Sequence, residues 1–185
     1  MTSVHKKAIK IAADAATHAH RGQFRKDNKT PYIVHPRRVA EQVKSFGGDH
    51  IGIIAAWLHD VMEDCEGGEG IVRDALQKMG LSQQEQDEIF AIVSALTKNS
   101  EIKDKSERLA DTLERINQAP PQAILVKLCD RMDNVTDARD RGENFLSGYL
   151  TRTDQLIVAL SDGAMNYGYI RALETLKALR RKYPE

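Results

Sequence analysis

The segment from Ile51 to Leu58 constrains the fold more than any other part of this 185-residue chain. Its residues are apolar on nearly every side of a helix, and such a helix is stable only when its neighbours cover it. We therefore predict a helix over residues 49–64, with Asp49 as its N-cap, at the centre of the protein. The other elements are expected to pack around it.

The rest of the chain also has the spacing of α-helices. Only 12 glycines and 5 prolines interrupt it, apolar residues recur at helical intervals, and no clear alternating strand pattern occurs. These features predict one all-α domain over residues 1–185, an irregular multi-helix bundle of about nine helices. Apart from the central helix, they are predicted over residues 3–20, 36–46, 71–79, 82–96, 107–118, 122–140, 144–160 and 164–182.

Charge and composition exclude several functional classes. Lys and Arg number 27, as do Asp and Glu, so bulk charge does not favour binding to nucleic acid or to an anionic membrane. No apolar run approaches the ~20 residues of a membrane span, and the first 20 residues lack the apolar block of a secretory signal. The two cysteines, Cys65 and Cys129, form no C-x-x-C pair. We expect a cytoplasmic protein with buried thiols; its oligomeric state is not indicated.

The end of the predicted central helix is unusually acidic. Asp60, Glu63 and Asp64 follow His59 there, although the C-terminal end of a helix dipole disfavours negative charge. The pairs at spacing four, His59 with Glu63 and Asp60 with Asp64, each share a helix face. A divalent metal ion is the simplest compensation for this cluster.

Two more polar residues emerge from apolar surroundings. Asp130 follows the apolar run ILVKLC, with Asn134 one turn later, and His35 opens the second helix. A carboxylate leaving a buried stretch is costly unless it is paired or bound to a metal. Each feature alone has an ordinary explanation, such as a salt bridge or a solvated helix end. Taken together, His35, His59-Asp60 and Asp130 resemble the signature of HD metal-dependent phosphohydrolases.

Three longer motifs resemble the hydrolase domain of RelA/SpoT-type alarmone enzymes. They are residues 20–36, which contain HRGQFRK and TPYIVHP; residues 55–64, AAWLHDVMED; and residues 125–134, LVKLCDRMDN. The resemblance implies a bundle of the HD phosphohydrolase type. It also implies hydrolysis of the 3′-pyrophosphate of guanosine tetra- or pentaphosphate, which gives GDP or GTP and pyrophosphate. Because no synthetase segment follows, the chain is similar to the stand-alone small alarmone hydrolases, a group that includes the metazoan SpoT homologue.

The same resemblance implies a mononuclear manganese site. Mixed imidazole and carboxylate ligands suit Mn²⁺, Fe²⁺ or Zn²⁺ better than Ca²⁺. All six histidines lie at or before position 59, whereas two-metal HD enzymes use further histidines downstream, so one ion per chain is expected. Glu63 and Asp64 are expected to orient the attacking water and accept its proton. The implied ligands are His35, His59, Asp60 and Asp130.

Substrate contacts are implied for five further residues. Arg25 and Lys26 are expected to hold the pyrophosphate, the first through a guanidinium fork and the second as a point charge. Asn134 is expected to hydrogen-bond the substrate or a group behind the metal ligands. Tyr32 and Tyr149 are expected to stack on the base or to contact the ribose, with core packing as the alternative.

Three other functions stay open at this stage. The same site could act on adenosine-type alarmones such as pppApp, or on the 2′-phosphate of NADPH. A non-catalytic nucleotide-sensing or partner-binding HD module is disfavoured because every residue of the signature is present. A nucleic-acid-binding helical protein is disfavoured by the zero net charge and by the lack of a long basic helix.

Overall fold

The computed structural model describes residues 1–138 and 143–183. Within these ranges the named secondary-structure elements are all α-helices. The predicted all-α bundle is confirmed. An isolated bridge between Phe24 and Pro31 closes the loop after the first helix. The helices are α1 (Ser3–Ala19), α2 (Val34–Ser45), α3 (His50–Leu58), α4 (Val61–Asp64), α5 (Gly68–Lys78), α6 (Gln83–Leu96), α7 (Lys105–Gln118), α8 (Gln122–Ala138), α9 (Glu143–Asn166) and α10 (Ile170–Arg181).

The central helix lies where the sequence predicts it, but it is shorter. Asp49 caps α3 by accepting a hydrogen bond from the Gly52 amide, and seven of the helix's nine residues are buried apolar residues or glycine. The single helix predicted over residues 49–64 is wrong, because α3 ends at Leu58 and α4 forms a separate turn. The His59 ring is hydrogen-bonded through Nδ1 to the Ala56 carbonyl, 2.8 Å away, which satisfies one of the last carbonyls of α3.

This break changes the electrostatic argument for the acidic residues. Glu63 and Asp64 lie in the first turn of α4 rather than at the C-terminal end of a long helix. Their position therefore does not oppose the dipole of α3 in the way that the sequence indicated. The helix dipole therefore gives no argument for a metal ion beside these acidic residues, and the case for one rests on how the side chains of the site are arranged.

The last two helices are also divided differently from the prediction. The predicted helices over residues 144–160 and 164–182 are instead a long α9 and a shorter α10, with the break at 167–169. Gly163 lies inside α9 without interrupting it. A glycine is needed there because a Cβ atom would lie 2.5 Å from Ile124 Cδ1 on α8. Gly168, with φ of +78°, provides the left-handed turn between α9 and α10.

The packing around α3 brings distant parts of the sequence to one end of the bundle. Helices α1, α2, α6 and α8 all pack against α3. Within α8, Leu125, Val126 and Leu128 are buried in the same core. As a result, the start of α2, the end of α3 and the middle of α8 meet at one place.

Other sequence expectations have mixed outcomes. The helix predicted over residues 82–96 is present as α6, and Ser82 and Glu85 form a capping box at its start. Cys65 and Cys129 are free thiols, and Cys129 is buried. Within the described ranges, none of the helices has the length and apolar character needed to cross a bilayer. The single domain over residues 1–185 and the cytoplasmic location stay predictions.

Candidate functional site

Four side chains from three parts of the fold converge below the end of α3. His35 lies in the first turn of α2, His59 and Asp60 lie between α3 and α4, and Asp130 lies on α8. The Asp60 Oδ2 atom is 3.2 Å from His59 Nε2 and 3.4 Å from His35 Nε2. The Asp130 Oδ1 atom is 3.3 Å from His35 Nε2 and 3.9 Å from His59 Nε2. We call this group the four-residue centre.

Hydrogen bonds on the far side of each imidazole decide which nitrogen faces the centre. Nδ1 of His35 contacts Asp133 Oδ2 at 2.7 Å, and Nδ1 of His59 contacts the Ala56 carbonyl at 2.8 Å. A neutral imidazole that donates through Nδ1 carries its lone pair on Nε2. The Nε2 of His59 is buried and has no hydrogen-bond partner, although buried polar atoms are normally satisfied.

The four-residue centre fits a divalent transition-metal ion. Ligand atoms of His35, His59 and Asp130 lie within 4.8 Å of one another, and all three residues are buried. Metal–nitrogen and metal–oxygen bonds of about 2.0–2.2 Å place neighbouring ligand atoms roughly 3–3.5 Å apart. The distances from Asp60 and Asp130 to His35 lie in that range. An ion here would also use the unpartnered Nε2 of His59.

The environment keeps the two carboxylates of the centre ionised. Burial alone raises the pKa of an aspartate, yet the adjacent imidazoles hold the pKa of Asp60 well below its usual range. Lys127 Nζ, 3.0 Å from Asp130 Oδ2, does the same for the pKa of Asp130 together with both imidazoles. Burial lowers the pKa of His35, but Asp130, Asp133 and Asp60 outweigh it and raise that pKa to about 9.

Neighbouring residues hold the ligands in place from behind. Asp133 fixes the His35 ring, as described above, and Lys127 holds one oxygen of Asp130. The Asn134 amide donates a short hydrogen bond to the other oxygen, Asp130 Oδ1. The sequence predicted Asn134 as a contact to substrate or to a group behind the ligands, and the structure gives the second of these contacts. Such supporting groups set ligand orientation and basicity in metal sites.

Tyr32 connects the centre to Asp64. Its hydroxyl lies 2.8 Å from Asp60 Oδ2 and 2.8 Å from Asp64 Oδ2, so the two carboxylates share one phenolic donor. Burial and the two nearby charges raise the pKa of Tyr32 far above its usual value. Burial, and then repulsion from Asp60, also raise the pKa of Asp64. The sequence predicted stacking or a ribose contact for Tyr32, whereas the structure shows contacts to carboxylates.

Glu63 points to a different partner. Its Oε1 lies 2.5 Å from Lys98 Nζ, and its Oε2 accepts a hydrogen bond from the Lys98 amide at 3.1 Å. Lys98 follows α6 in the polar segment that the sequence assigned to a surface loop. Burial lowers the pKa of Lys98, but Glu63 outweighs that effect and raises it. The loop is therefore anchored to the acidic turn through this pair.

Arg25, which the sequence predicted to hold the pyrophosphate, is buried. Its Nε and Nη2 donate to Asp137 Oδ2 at 3.0 and 2.9 Å, and Nη2 also donates to Asn134 Oδ1 at 2.9 Å. The guanidinium lies 5.5 Å from the centroid of the Tyr32 ring. Arg25 therefore joins the first loop to α8, in addition to any contact that it makes with a ligand.

A cavity of about 800 Å³ opens above the four-residue centre, a size typical of small-molecule sites. His59, Asp60, Asp130 and the acidic pair Glu63 and Asp64 line one side of it. Basic side chains line much of the rest, so the cavity combines a cation site with a polycationic wall. These basic residues are Arg25, Lys26, Lys98, Lys105, Arg108, Lys127, Arg131 and Arg152.

Arg131 is the least satisfied of these cations. It is only 7% exposed, and its Nε and Nη1 atoms are buried with no hydrogen-bond partner. Its guanidinium lies 4.5 Å from the centroid of the Tyr149 ring. Burial raises the pKa of Tyr149 to about 12, so the phenol is neutral at physiological pH. A buried guanidinium with unused donors beside a cavity is well suited to an anionic ligand.

Several of these residues were missed by sequence reasoning. Lys127, Asp130, Asn134 and Asp137 recur at spacings of three or four along α8, which places them on one helix face. That spacing was a usable signal for Lys127 and Asp137. No comparable signal marked Lys98, which reaches the site through a loop contact to Glu63.

Comparisons with known proteins agree with this geometry. A family model described as an HD domain matches residues 12–156. The guanosine-3′,5′-bis(diphosphate) 3′-pyrophosphohydrolase of Aquifex aeolicus is 35% identical over 133 residues, which cover 71% of this chain and 18% of that protein. The mouse guanosine-3′,5′-bis(diphosphate) 3′-pyrophosphohydrolase MESH1 is 36% identical over 129 residues, which cover 68% of this chain and 66% of that protein.

A solved structure gives the same fold. It is described as a metazoan ortholog of SpoT that hydrolyses ppGpp and has a role in starvation responses. It superimposes with a TM-score of 0.75 over 95% of this chain and 94% of that chain, at 22% sequence identity. This likeness confirms the predicted bundle type. The chain spans under a fifth of the length of the Aquifex relative and about two thirds of the mouse relative.

Proposed function

Since the chain belongs to the HD-domain family, we propose that it hydrolyses the 3′-pyrophosphate of guanosine tetra- and pentaphosphate with one Mn²⁺ per chain. The products would be GDP or GTP and pyrophosphate. The observation that carries this proposal is that His59, Asp60 and Asp130 of the four-residue centre line the same cavity as eight basic side chains. A nucleotide with two diphosphate groups matches both the proposed metal ligands and the basic lining.

His35, His59, Asp60 and Asp130 would hold the ion. When bound, the metal would lower the pKa of a water molecule and offset the charge of a phosphate oxygen. The contacts of Asp133 with His35, and of Lys127 and Asn134 with Asp130, would keep these two ligands in place before the ion arrives. This preorganisation is what a catalytic metal site requires of its protein.

Asp64 is the better placed of the two proposed proton acceptors. Hydrolysis forms a bond between a water oxygen and the phosphorus next to the 3′-oxygen and breaks the bond to that oxygen. The water gives up a proton to the base, and the released 3′-oxygen takes up a proton to become the 3′-hydroxyl of the product. A general base works best when its pKa is close to the working pH. Burial and Asp60 raise the pKa of Asp64 in that direction, and Tyr32 fixes its orientation.

Two roles are proposed for Glu63: it would orient the attacking water, or it would position Lys98 beside the cavity. Its carboxylate is held by the Lys98 ammonium and amide, so it could orient water with one oxygen while it keeps Lys98 beside the cavity. Lys98 would then neutralise charge on the pyrophosphate group that the water attacks. The two roles give different mutational results, which are set out in the Discussion.

The basic wall would recognise the phosphates. Arg25 and Lys26 line the cavity and would hold the 3′-pyrophosphate, while Arg131 would direct its unused donors to another phosphate. Tyr149, which lies between Arg131 and Arg152, would contact the ribose or base. Guanidinium groups suit this task because their planar fork matches phosphate oxygens.

A substrate panel tests the proposal. Purified full-length protein loaded with Mn²⁺ would be incubated with ppGpp, pppGpp, pppApp and NADPH, with pyrophosphate and orthophosphate measured separately. The proposal expects the guanosine compounds to have the highest kcat/KM and to release pyrophosphate. A higher kcat/KM for pppApp would show that the enzyme prefers adenine over guanine. Release of orthophosphate from NADPH, with no turnover of the other compounds, would show that the protein is a phosphatase of NADPH and not an alarmone hydrolase. Binding without turnover of any compound would indicate a nucleotide-sensing module.

A further inference from the structure

A second cluster of metal-ligating side chains lies at the opposite end of α3. His5 lies in the first turn of α1, His50 is the first residue of α3, and Glu85 lies in the first turn of α6. One nitrogen or oxygen atom from each of them lies within 4.8 Å of the other two, and all three residues are partly buried. We call this group the corner site. From this geometry we propose that the corner site binds a transition-metal ion of the zinc type.

The two imidazoles face the same carboxylate oxygen. Their rings are stacked, with centroids 3.7 Å apart and planes 6° from parallel. Nε2 of His50 is 2.9 Å from Glu85 Oε1, and Nε2 of His5 is 3.9 Å from that atom. In a tetrahedral zinc site with bonds of about 2.0–2.1 Å, ligand atoms lie ~3.4 Å apart. A metal ion binds in the plane of an imidazole ring, so the two stacked rings would rotate apart to bring both Nε2 atoms to one ion. His5, whose Nε2 is the farther from Glu85, would make the larger movement.

The carboxylate is already held for this role. Glu85 Oε2 accepts hydrogen bonds from the Ser82 amide at 2.8 Å and from Ser82 Oγ at 2.6 Å, as part of the capping box. Oε1 is the oxygen that faces the imidazoles. The capping box thus fixes one oxygen and directs the other toward the two histidines, which is how supporting groups orient ligands in metal sites.

The surroundings select the type of ion. Three helices begin at this corner, and the positive ends of helix dipoles disfavour cations that bind through charge alone. Binding must then depend on coordination bonds to imidazole, which favour Zn²⁺, Cu²⁺ or Ni²⁺ over Ca²⁺ and Mg²⁺. Mn²⁺ stands at the weak end of the same series. The corner site can therefore take zinc without changing the expected single Mn²⁺ at the four-residue centre.

An ion at the corner would fasten α1 to the rest of the bundle. The fully buried residues of α1 are all alanines, Ala8, Ala12 and Ala16, and its larger apolar side chains, Ile9 and Ile11, are only partly buried against the core. The apolar contribution of this 17-residue helix to stability is therefore modest. The coordination bonds would link the first turn of α1 to α3 and α6. α3 is nine residues long, or roughly 13 Å at ~1.5 Å per residue, so the corner site is separate from the four-residue centre.

Equilibrium dialysis of the full chain against Zn²⁺, followed by elemental analysis, tests this proposal. The variant is Glu85→Gln, because Gln can replace Glu in a capping box while its neutral amide is a poor zinc ligand. The control is Glu88→Gln, one turn later on α6 and outside the corner site. We expect wild type and control to bind two Zn²⁺ per chain, and Glu85→Gln to bind the second ion at least ten-fold more weakly.

A thermal-shift measurement in a His59→Ala background provides a readout that does not involve activity. We expect Zn²⁺ to raise Tm by several degrees in this background, and to have no such effect once His5→Gln and His50→Gln are added. The proposal would be overturned if wild type bound a single Zn²⁺ that His59→Ala abolished, or if Glu85→Gln bound zinc as tightly as wild type. Neither result would count against the proposed hydrolase function. A single Zn²⁺ that depends on His59 would lie at the four-residue centre, and Glu85 is not part of that centre.

Discussion

The side chains of His35 and Asp133 are in direct contact, with Nδ1 of the imidazole 2.7 Å from Oδ2 of the carboxylate. Both residues are buried, and they lie 98 positions apart in the sequence. The contact turns Nε2 of His35 toward Asp60 and Asp130. A residue that ligates nothing itself thereby determines which atom of His35 is presented to a metal ion.

Asp133→Asn should therefore weaken metal binding. An amide can leave the His35 ring in the wrong tautomer or orientation, and losing such a supporting contact typically costs about 10–100-fold in metal affinity. We expect this loss for Mn²⁺, measured by electron paramagnetic resonance of the free ion. The matched control is Asp137→Asn, one turn later on α8, which contacts Arg25 instead. Equal affinities in wild type and Asp133→Asn would show that His35 needs no such support.

Glu63→Gln should lower kcat while the metal stays bound. Within the described part of the chain, the hydrogen-bond and ion-pair partner of Glu63 is Lys98 and not a member of the four-residue centre. Loss of a general base costs about 10²–10⁴-fold in rate. Mn²⁺ stoichiometry measured on the same sample checks the second half of this expectation. Loss of the ion would place Glu63 among the ligands, and full activity would remove it from the mechanism.

Lys98→Ala separates the two roles proposed for Glu63. If Glu63 acts mainly by holding Lys98 beside the cavity, Lys98→Ala should lower kcat as much as Glu63→Gln, and the double variant should be no worse. If Glu63 acts on water, the double variant should lose more activity than either single variant. The measurement is a double-mutant cycle on kcat.

Arg25→Ala should affect both stability and catalysis. Breaking this largely buried ion pair leaves Asp137 with only the partly exposed Arg38, 3.5 Å away, as a cationic partner. We expect a loss of up to about 3 kcal/mol of unfolding free energy. The kcat/KM for ppGpp should also fall more than that for a small singly charged phosphodiester, which has no second phosphate to hold. Lys26→Ala is the control, because Lys26 is exposed and should change kcat/KM with little change in Tm. Equal losses on both substrates would leave Arg25 a structural role only.

Arg131→Met should raise KM without destabilising the fold. The buried Nε and Nη1 have no partner, and replacing a buried charge by an apolar side chain of similar size is often neutral or stabilising. We expect KM for ppGpp to rise about 10–100-fold, in line with the ~1.5–3 kcal/mol of a hydrogen bond to a charged group. Arg152→Met, which also changes a cation near Tyr149, serves as the comparison. A large fall in Tm with unchanged KM would contradict the proposed role.

The sequence was most informative where a feature is local. The buried character of α3, the caps at Asp49 and Ser82, and the apolar periodicity of α8 follow from near neighbours in the chain. The proposed metal ligands, His35, His59-Asp60 and Asp130, came from the motif resemblance, because no local pattern connects them.

What the sequence could not supply depends on contacts between distant residues. The break after Leu58 arises from the His59 side chain bonding back to Ala56, which competes with continuation of the helix. The burial of Arg25 depends on Asp137, 112 positions away. Gly163 lies between the predicted helices over residues 144–160 and 164–182. Only the close packing of Ile124 against it explains why a glycine stands inside α9.

Product analysis of ppGpp treated with Mn²⁺-loaded protein tests the central claim most directly. Phosphorus NMR should show one pyrophosphate and one GDP formed per ppGpp consumed. Asp60→Asn, which removes a ligand charge but keeps the shape of the side chain, should form neither product at a measurable rate. The account would be contradicted if wild type with bound Mn²⁺ left ppGpp intact, or if Asp60→Asn hydrolysed it as fast as wild type.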